Sequence, residues 1–395
     1  MTMAATMAGR TAEARVRSKA RRLASVQVLT DLETAQPAWR ELEDTAHFST
    51  PYQRYDLLRA WQQSVGTPQG ELPLIAIGYD AERRPLLLLP LSAMRRHGVR
   101  IGRFMGGKHT TFNMALWDRE FAAAAGLSDL NVLLAALREH ANLDMLSLTQ
   151  QPLHWRGRQN PFALLPHQPS INRCPLLLMT PGGTPASRVS NSFRRRLKGK
   201  ERKLQALPGF RYHVATSDDE IKSLLDWFFR VKPLRMAAQK LPNVFSEPGV
   251  EDFIRAACLA PRGDGRVIEM HALECDQEVI AMFAGVTDGY RFSMMFNSYT
   301  MSEHARYSPG LILLRSIIDR YGERGFGALD LGMGADDYKR LFCKSDEVTF
   351  DSFIPLSARG RIVAPPVSAV NRCKRLVKEN ERLFALARRL RSALH

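Results

Sequence analysis

The chain has 395 residues, of which 45% are hydrophobic, so it is long enough for two or three domains with ordinary cores. No apolar run approaches the ~20 residues of a membrane span, and the first residues lack the apolar segment of a secretory signal. The five cysteines are widely spaced and never form a CxxC pair, which argues against a zinc site or a disulfide framework. We therefore expect a soluble cytoplasmic protein that holds no metal.

The net charge of +16 is concentrated in three segments. Residues 1–30 carry six basic and one acidic side chains, residues 191–203 carry seven and one, and residues 357–395 carry ten and two. Such patches attract phosphates, anionic lipid or nucleic acid, although a solvated basic surface explains the two ends equally well. We expect peripheral contact with an anionic membrane through the basic ends, and we do not expect nucleic acid as a partner.

The first half consists mainly of short apolar runs followed by one long amphipathic segment. The predicted elements are strands at residues 74–79, 86–91, 99–104, 111–116 and 145–148, and a helix at residues 127–140. A glycine-containing segment at residues 105–110 lacks the glycine spacing and the Ser or Thr of a P-loop, so we assign it no phosphate-binding role.

The second half repeats this order. The predicted elements are a basic helix that ends before residues 208–209, helices at 217–229, 251–257 and 311–321, and strands at 267–272, 278–286, 290–297, 328–332 and 348–355. Ser217 and Glu220 have the spacing of a helix capping box, and Asp288-Gly289 is a strong hairpin signal.

Each half is therefore predicted to contain antiparallel strands, one crossover helix and a further strand, in a mixed α/β (α+β) fold. The predicted divisions are a basic disordered tail at residues 1–23, an N-terminal domain at 24–175, a catalytic domain at 185–356 and a basic amphipathic helix at 357–395.

The pattern of residues 304–342 favours the binding of a phosphate group. The turn Ser308-Pro309-Gly310 begins an apolar helix between two predicted strands. Strands joined by a helical crossover are parallel, and the N-terminus of a helix attracts phosphate through its free N–H groups and its dipole. Pro309 has no N–H to satisfy there, and Gly310 lets the backbone approach a phosphate closely.

In these features the second half resembles the acetyltransferase domain of CelD/BcsL-type proteins, in the GNAT superfamily and close to the FemAB-type transferases. The resemblance rests on the order of the basic helix start at 192–196, the meander, the YSPG turn at 307–310, the LDLG strand at 329–332 and the YK pair at 338–339. It implies two tandem GNAT-like domains, the first degenerate, with acetyl-CoA as the donor. It also implies an acceptor related to the cell envelope or to cellulose and exopolysaccharide biosynthesis.

The resemblance implies roles for particular residues. A backbone N–H near Phe296 or Asn297 would polarise the acyl carbonyl, Tyr338 would protonate the leaving thiolate, and Lys339 matches a lysine that FemAB-type proteins place at the acyl group. The donor phosphates would lie against Tyr307, Ser308, Pro309, Gly310 and Leu311. The usual (Q/R)xxGxG/A loop of GNAT enzymes is absent, which weakens the case for acetyl-CoA relative to other donors.

Asp330 lies in an apolar strand, where it is either a general base with a raised pKa or a buried aspartate bonded to backbone or to an arginine. Asp336 and Asp337, in the following turn, are further base candidates, although aspartates are common in turns.

The basic helix carries three residues for which we predict a phosphate-binding role, whether the phosphate belongs to the acceptor, to CoA or to tRNA: Arg194, Arg195 and Lys198. The predicted function is transfer of an acetyl group from acetyl-CoA to an amine or hydroxyl of a small-molecule or glycan acceptor. Two alternatives stay open: a FemAB-like transferase that uses aminoacyl-tRNA, and a non-catalytic GNAT-fold scaffold in polysaccharide export.

Overall fold

Two β-sheets, each flanked by helices, account for most of the chain. The computed structural model describes residues 21–44, 48–180, 182–276, 278–334 and 336–380. Most of the predicted tail, residues 1–20, and the end of the predicted C-terminal helix, residues 381–395, lie outside the described residues.

The elements are numbered in chain order. The strands are β1 Ser25–Leu29, β2 Leu72–Tyr79, β3 Pro85–Arg96, β4 Val99–Phe104, β5 Leu116–Trp117, β6 Met145–Pro152, β7 His154–Trp155, β8 Arg158–Gln159, β9 Gln168–Pro169, β10 Cys174–Leu178, β11 Arg211–Ala215, β12 Pro261–Arg262, β13 Gly265–Arg266, β14 Glu269–Glu274, β15 Val279–Thr287, β16 Arg291–Tyr299, β17 Ala328–Asp330, β18 Ser345–Glu347 and β19 Thr349–Pro355. The α-helices are α1 Leu32–Leu42, α2 Tyr55–Trp61, α3 Arg119–Ala124, α4 Leu127–His140, α5 Pro185–Arg188, α6 Asn191–Gln205, α7 Asp218–Ala238, α8 Val250–Leu259, α9 Pro309–Glu323, α10 Asp337–Phe342 and α11 Ala358–Glu379.

The first sheet has the order β1-β2-β3-β4-β6-β19-β9, with β5 paired to β3. Its strands are antiparallel except for β4 and β6, which are parallel and are joined through α3 and α4. The helix predicted at residues 127–140 has the same bounds in the structure, whereas the strand predicted at 111–116 is wrong, because only Leu116 and Trp117 pair there.

The second sheet has the order β11-β14-β15-β16-β17-β10-β18. Strands β16 and β17 are parallel and are joined by α9, as predicted for a crossover connection. Two local predictions are confirmed. The Ser217 hydroxyl caps α7 and the Glu220 carboxylate closes the capping box, and Gly289 has a positive φ of 80° in the turn between β15 and β16.

Two strands lie in a different sheet from most of their half. Strand β19 was predicted to belong to the domain at residues 185–356, but it pairs with β6 and β9 in the first sheet. Strand β10, which follows β9 in sequence, pairs with β17 and β18 in the second sheet. The predicted domain limits at residues 175 and 356 therefore do not coincide with the limits of the sheets.

The second sheet is covered on both faces. Helices α7 and α8 pack on the face turned toward the first half, in a core that continues into the first sheet. Helices α6 and α9 cover the opposite face in a separate core. The two halves thus share one apolar core, and the open ends of β16 and β17 lie beside it. No helix in the described part of the chain is long and apolar enough to cross a membrane.

Candidate active site

The parallel pair β16 and β17 separates after three residue pairs. Arg291, Phe292 and Ser293 pair with Ala328, Leu329 and Asp330, after which β17 ends while β16 continues to Tyr299. The edge of β16 that faced β17 therefore carries backbone groups that the sheet does not use.

A β-bulge lies at the same point of β16. Gly285 is opposite Met294 and Ala284 is opposite Phe296, so Met295 is an extra residue with no partner on β15. Bulges twist a strand and redirect its side chains and backbone groups, and they are common beside active sites. The bulge and the end of β17 together open a gap between two strands that are otherwise parallel neighbours.

A cavity of 440 Å³ opens at this gap and extends between the two halves, which is the size of an ordinary small-molecule site. Its apolar walls come from Val244, Phe245, Val250, Phe253, Ile254, Met294, Met295, Phe296, Leu331 and Met333. Its polar wall comes from Lys108, His109, Thr110, Thr111, Gln150, Asn172 and Lys339. Both halves line the cavity, which we call the central cleft.

Lys339 reaches the central cleft from α10, and its side chain is almost fully buried. Its ammonium donates hydrogen bonds to the carbonyl oxygens of Met333, at 2.8 Å, and Gly332, at 3.3 Å. The carboxylate of Asp336 lies 3.3 Å from the same nitrogen. Lys339 therefore fixes the chain just after β17, and its positive charge lies at the wall of the cleft.

Tyr338 and Asn297 lie across the gap from each other. The Asn297 side-chain amide is 3.4 Å from the Tyr338 hydroxyl, and burial raises the pKa of Tyr338. The Asn297 carbonyl accepts a hydrogen bond of 2.9 Å from the ammonium of Lys232 on α7. Burial, followed by the charge of Arg235, lowers the pKa of Lys232 to about 8. Lys232 was not predicted as a site residue.

The N-terminus of α9 lies at the end of the gap. Ser308 has a left-handed backbone, φ 56° and ψ 50°, which is costly for a residue other than glycine, and no side chain caps this terminus. The ammonium of Lys200 donates a hydrogen bond of 2.8 Å to the Ser308 hydroxyl, and that of Lys203 lies 5.7 Å from the centre of the Tyr307 ring. The predicted phosphate turn is thus an uncapped helix start with lysines beside it.

The fold leaves room for a side chain at residue 310, and the predicted close approach of a phosphate to Gly310 stays a prediction. Its φ is not in the left-handed region, and a Cβ atom there would lie in ordinary contact, 3.4 Å from the Tyr299 ring. Leu311 donates its backbone N–H to the Ser308 carbonyl at 3.1 Å. The fold itself therefore does not require glycine at residue 310.

Asp330 does not line the central cleft, and its prediction as a catalytic base is corrected here. It is fully buried, and its carboxylate accepts hydrogen bonds from the Ser293 hydroxyl at 2.5 Å and the Gly332 N–H at 3.1 Å. Burial raises the pKa of Asp330 to about 6 although the guanidinium of Arg291, 3.9 Å away, opposes the shift. An enclosed carboxylate cannot reach an acceptor, so the structure favours the alternative of a buried, bonded aspartate.

Arg291 connects the polar contacts around Asp330, which we call the Asp330 network, to both halves of the chain. Its guanidinium lies 4.0 Å from the centre of the Trp155 ring of the first half and forms an ion pair with Glu347. The Trp155 indole donates to the Asp288 carboxylate, which belongs to the β15–β16 turn. The network therefore holds the base of the gap rigidly against the first half.

The three predicted phosphate ligands of the basic helix line one open groove of 520 Å³ beside Arg315. Both terminal nitrogens of Arg194 bond the Asp319 carboxylate at 2.9 Å, so part of its charge is already neutralised within the fold. Arg195 and Lys198 are more exposed than Arg194. A phosphate-binding role for the three stays a prediction.

The cleft residues of the first half were not predicted, and two of them, His109 and Gln150, have unusual local geometry. The Trp61 indole N–H donates to His109 Nδ1 at 3.0 Å, so the proton of the neutral ring must lie on Nε2. No described residue bonds that Nε2 atom. Gln150 has a left-handed backbone, φ 60°, inside β6, and its N–H is held by the buried Asp351 carboxylate at 2.8 Å. The sequence signals nearby were the glycines of the 105–110 segment for His109 and the strand predicted at 145–148 for Gln150.

Comparisons with known proteins agree with this geometry. Residues 191–340 match the family model of the acetyltransferase (GNAT) domain. The chain is similar to the crystal structure of FemX, at 10% identity and a TM-score of 0.55, over 86% of this chain and 100% of that one. It is also similar to a conserved protein of unknown function from Bacteroides thetaiotaomicron VPI-5482, at 9% identity and 0.51, over 83% and 99%.

A tandem GNAT protein from the clavulanic acid biosynthesis pathway has 11% identity and a TM-score of 0.42, over 84% of this chain and 99% of that chain. No curated protein matches the sequence. The predicted fold class, mixed α/β with a GNAT-like second half, is confirmed. Membership of the CelD/BcsL type stays a prediction.

Proposed function

We propose that this chain is an acyltransferase that moves an acyl group, acetyl from acetyl-CoA being the expected donor, to an amine or hydroxyl of an acceptor in the central cleft. The observation that carries the proposal is the separation of β16 from β17, with the uncapped N-terminus of α9 at the open end of the gap. The GNAT family match of residues 191–340, which spans both features, supports it.

The residues of the gap fit an acyl-CoA donor. The free edge of β16 offers backbone donors and acceptors to the amide groups of a pantetheine chain. At the end of the gap, the start of α9 and the Lys200 ammonium suit the negative charge of a pyrophosphate held along Tyr307, Ser308 and Gly310. When bound, acyl-CoA supplies an activated thioester.

At the other end of the gap, the bulged part of β16 suits the acyl group. A backbone N–H near Phe296 or Asn297 stabilises negative charge on the carbonyl oxygen, and the Lys339 ammonium at the cleft wall adds to the positive potential. Tyr338 keeps its proton at neutral pH because its pKa is raised, so it can serve as the acid for the leaving thiolate.

The acceptor needs a base other than Asp330. Lys232 is the described group at the gap whose pKa, about 8, lies near neutrality, and it therefore has the titration range of a general base. The acceptor is proposed to be a small molecule or glycan of the cell envelope or of polysaccharide biosynthesis, as the resemblance to CelD/BcsL-type proteins implies.

Isothermal titration calorimetry with acetyl-CoA tests the donor. We expect saturable binding, and Lys200→Met should weaken it at least about tenfold because a charge-assisted hydrogen bond contributes roughly 1.5–3 kcal/mol. Lys344→Met, at an exposed lysine near α10, is the matched control and should bind like the unmodified protein. No acetyl-CoA binding, together with aminoacyl-tRNA binding that falls steeply with salt, would favour the FemAB-like alternative. Binding of neither donor would favour a scaffold.

A further inference from the structure

One face of α11 is apolar although it points away from the protein. Ile362, Val370 and Leu376 are 76%, 53% and 55% exposed. At 100° per residue these three side chains lie within an arc of about 120° on one side of the helix. The opposite side is fixed to the fold, because Gly360 and Ala364 are buried and a Cβ atom on Gly360 would collide with the Asp144 carbonyl.

Basic side chains border this stripe. Helix α11 carries six basic and one acidic residues, a net of +5, and exposed Arg359, Arg361 and Lys374 are among them. The end of the hairpin formed by β3 and β4, residues 95–100, which we call the turn, carries three arginines and no acidic residue. Arg95 and Val99 of this turn share a shallow depression with Arg359 and Ile362, so the turn and the helix form one surface. We call this surface the basic platform.

We infer that the basic platform binds the surface of an anionic lipid bilayer, with the α11 stripe inserted among the headgroups. A helix with an apolar face flanked by lysine and arginine is the form that lies in a membrane interface. Anionic lipid attracts each basic residue near the surface and gives the apolar stripe a place away from water. A nucleic acid would satisfy the charges but leave the stripe exposed. The inference does not depend on the proposed acyl transfer.

The platform also reaches the central cleft. The Lys378 ammonium, in the last turn of α11, donates a hydrogen bond to the Asn172 side chain, and Asn172 lines the cleft. The last turn of α11 therefore lies beside that wall of the cleft, on the side of the helix opposite the apolar stripe.

Co-sedimentation of the full chain with vesicles tests the inference. We expect binding to vesicles of phosphatidylcholine with phosphatidylglycerol and little binding to phosphatidylcholine alone. Arg361→Glu/Lys374→Glu should lower the partition coefficient at least 30-fold, since each basic residue near an anionic surface contributes roughly 5-fold. Ile362→Glu/Val370→Glu should lower it at least tenfold. Leu127→Glu is the matched control, because Leu127 is also 53% exposed but lies at the start of α4, and it should leave binding unchanged.

Circular dichroism and thermal melting check that each variant is folded. A folded Ile362→Glu/Val370→Glu variant that binds vesicles normally would overturn the inference. Equal binding of the unmodified chain to double-stranded oligonucleotide and to anionic vesicles, with the same dependence on salt, would also overturn it. Loss of vesicle binding in both double variants, with the control intact, would support it.

Discussion

Replacement of Lys339 by methionine separates the two roles that this lysine can have. Methionine keeps an unbranched apolar side chain of similar length but removes the ammonium, and with it the bonds to the Met333 and Gly332 carbonyls. A hydrogen bond to a charged group contributes roughly 1.5–3 kcal/mol, and removal of a buried ammonium recovers part of its desolvation cost. We therefore expect Lys339→Met to lower the free energy of unfolding by about 2–4 kcal/mol.

Urea denaturation followed by tryptophan fluorescence measures this change. Lys344→Met is the control, because the exposed Lys344 bonds one carbonyl, that of Arg340, and its loss should cost less than about 0.5 kcal/mol. An unfolding free energy of Lys339→Met within the same 0.5 kcal/mol of the unmodified protein would refute the reasoning. Acetyl-CoA calorimetry on the folded variant then reports whether the charge also serves the donor.

Three other predictions concern buried groups. The pKa of Asp330 is raised from 3.8 to about 6, so its contribution to stability is present below pH 3.8 and is lost as the pH rises to about 6. Asp330→Asn should remove about 3 kcal/mol of this pH dependence. Urea denaturation midpoints across that pH range measure the change. Arg291→Met leaves Asp330 and Glu347 buried without their cation and should cost about 3–5 kcal/mol by the same assay, and a loss below 1 kcal/mol would contradict the network. Long-range ¹H–¹⁵N NMR should find the proton of neutral His109 on Nε2, because Nδ1 accepts the hydrogen bond from Trp61. The titration midpoint of His109 should lie below 6.5, because burial lowers its pKa. A proton on Nδ1 would disprove that geometry.

The helix and strands that form the gap could be predicted from the sequence. The apolar periodicity of α9, the turn before it and the short strand after it are local signals, and a helical crossover makes β16 and β17 parallel neighbours. The strand predicted at 328–332 ends two residues earlier in the structure, at Asp330, because Gly332 and Gly334 adopt positive φ angles there.

Strand pairings and side-chain contacts between residues far apart in sequence could not be predicted in this way. Alternation shows that the strand at residues 349–355 has buried faces, but it does not say which sheet accepts the strand. Asp330 illustrates the same limit, because its hydrogen bond to Ser293 and its ion pair with Arg291 form only in the folded chain. Arg194 differs from Arg195 only through Asp319, which is 125 residues away in sequence. His109 belongs to the cleft because the first half packs against α8, which no local pattern reveals.

The exchange of β10 and β19 between the sheets has a consequence for cooperativity. The first sheet contains β19, which the chain reaches only after passing through the second half, so that sheet is incomplete when the first half folds alone. The second sheet contains β10, which lies at the boundary between the halves and precedes residues 191–340. A fragment limited to the matched residues 191–340 would lack β10 and leave β17 as an exposed edge beside the donor gap. The two halves should therefore unfold in a single transition, and the second half depends on the first for its shape as well as for its cleft wall.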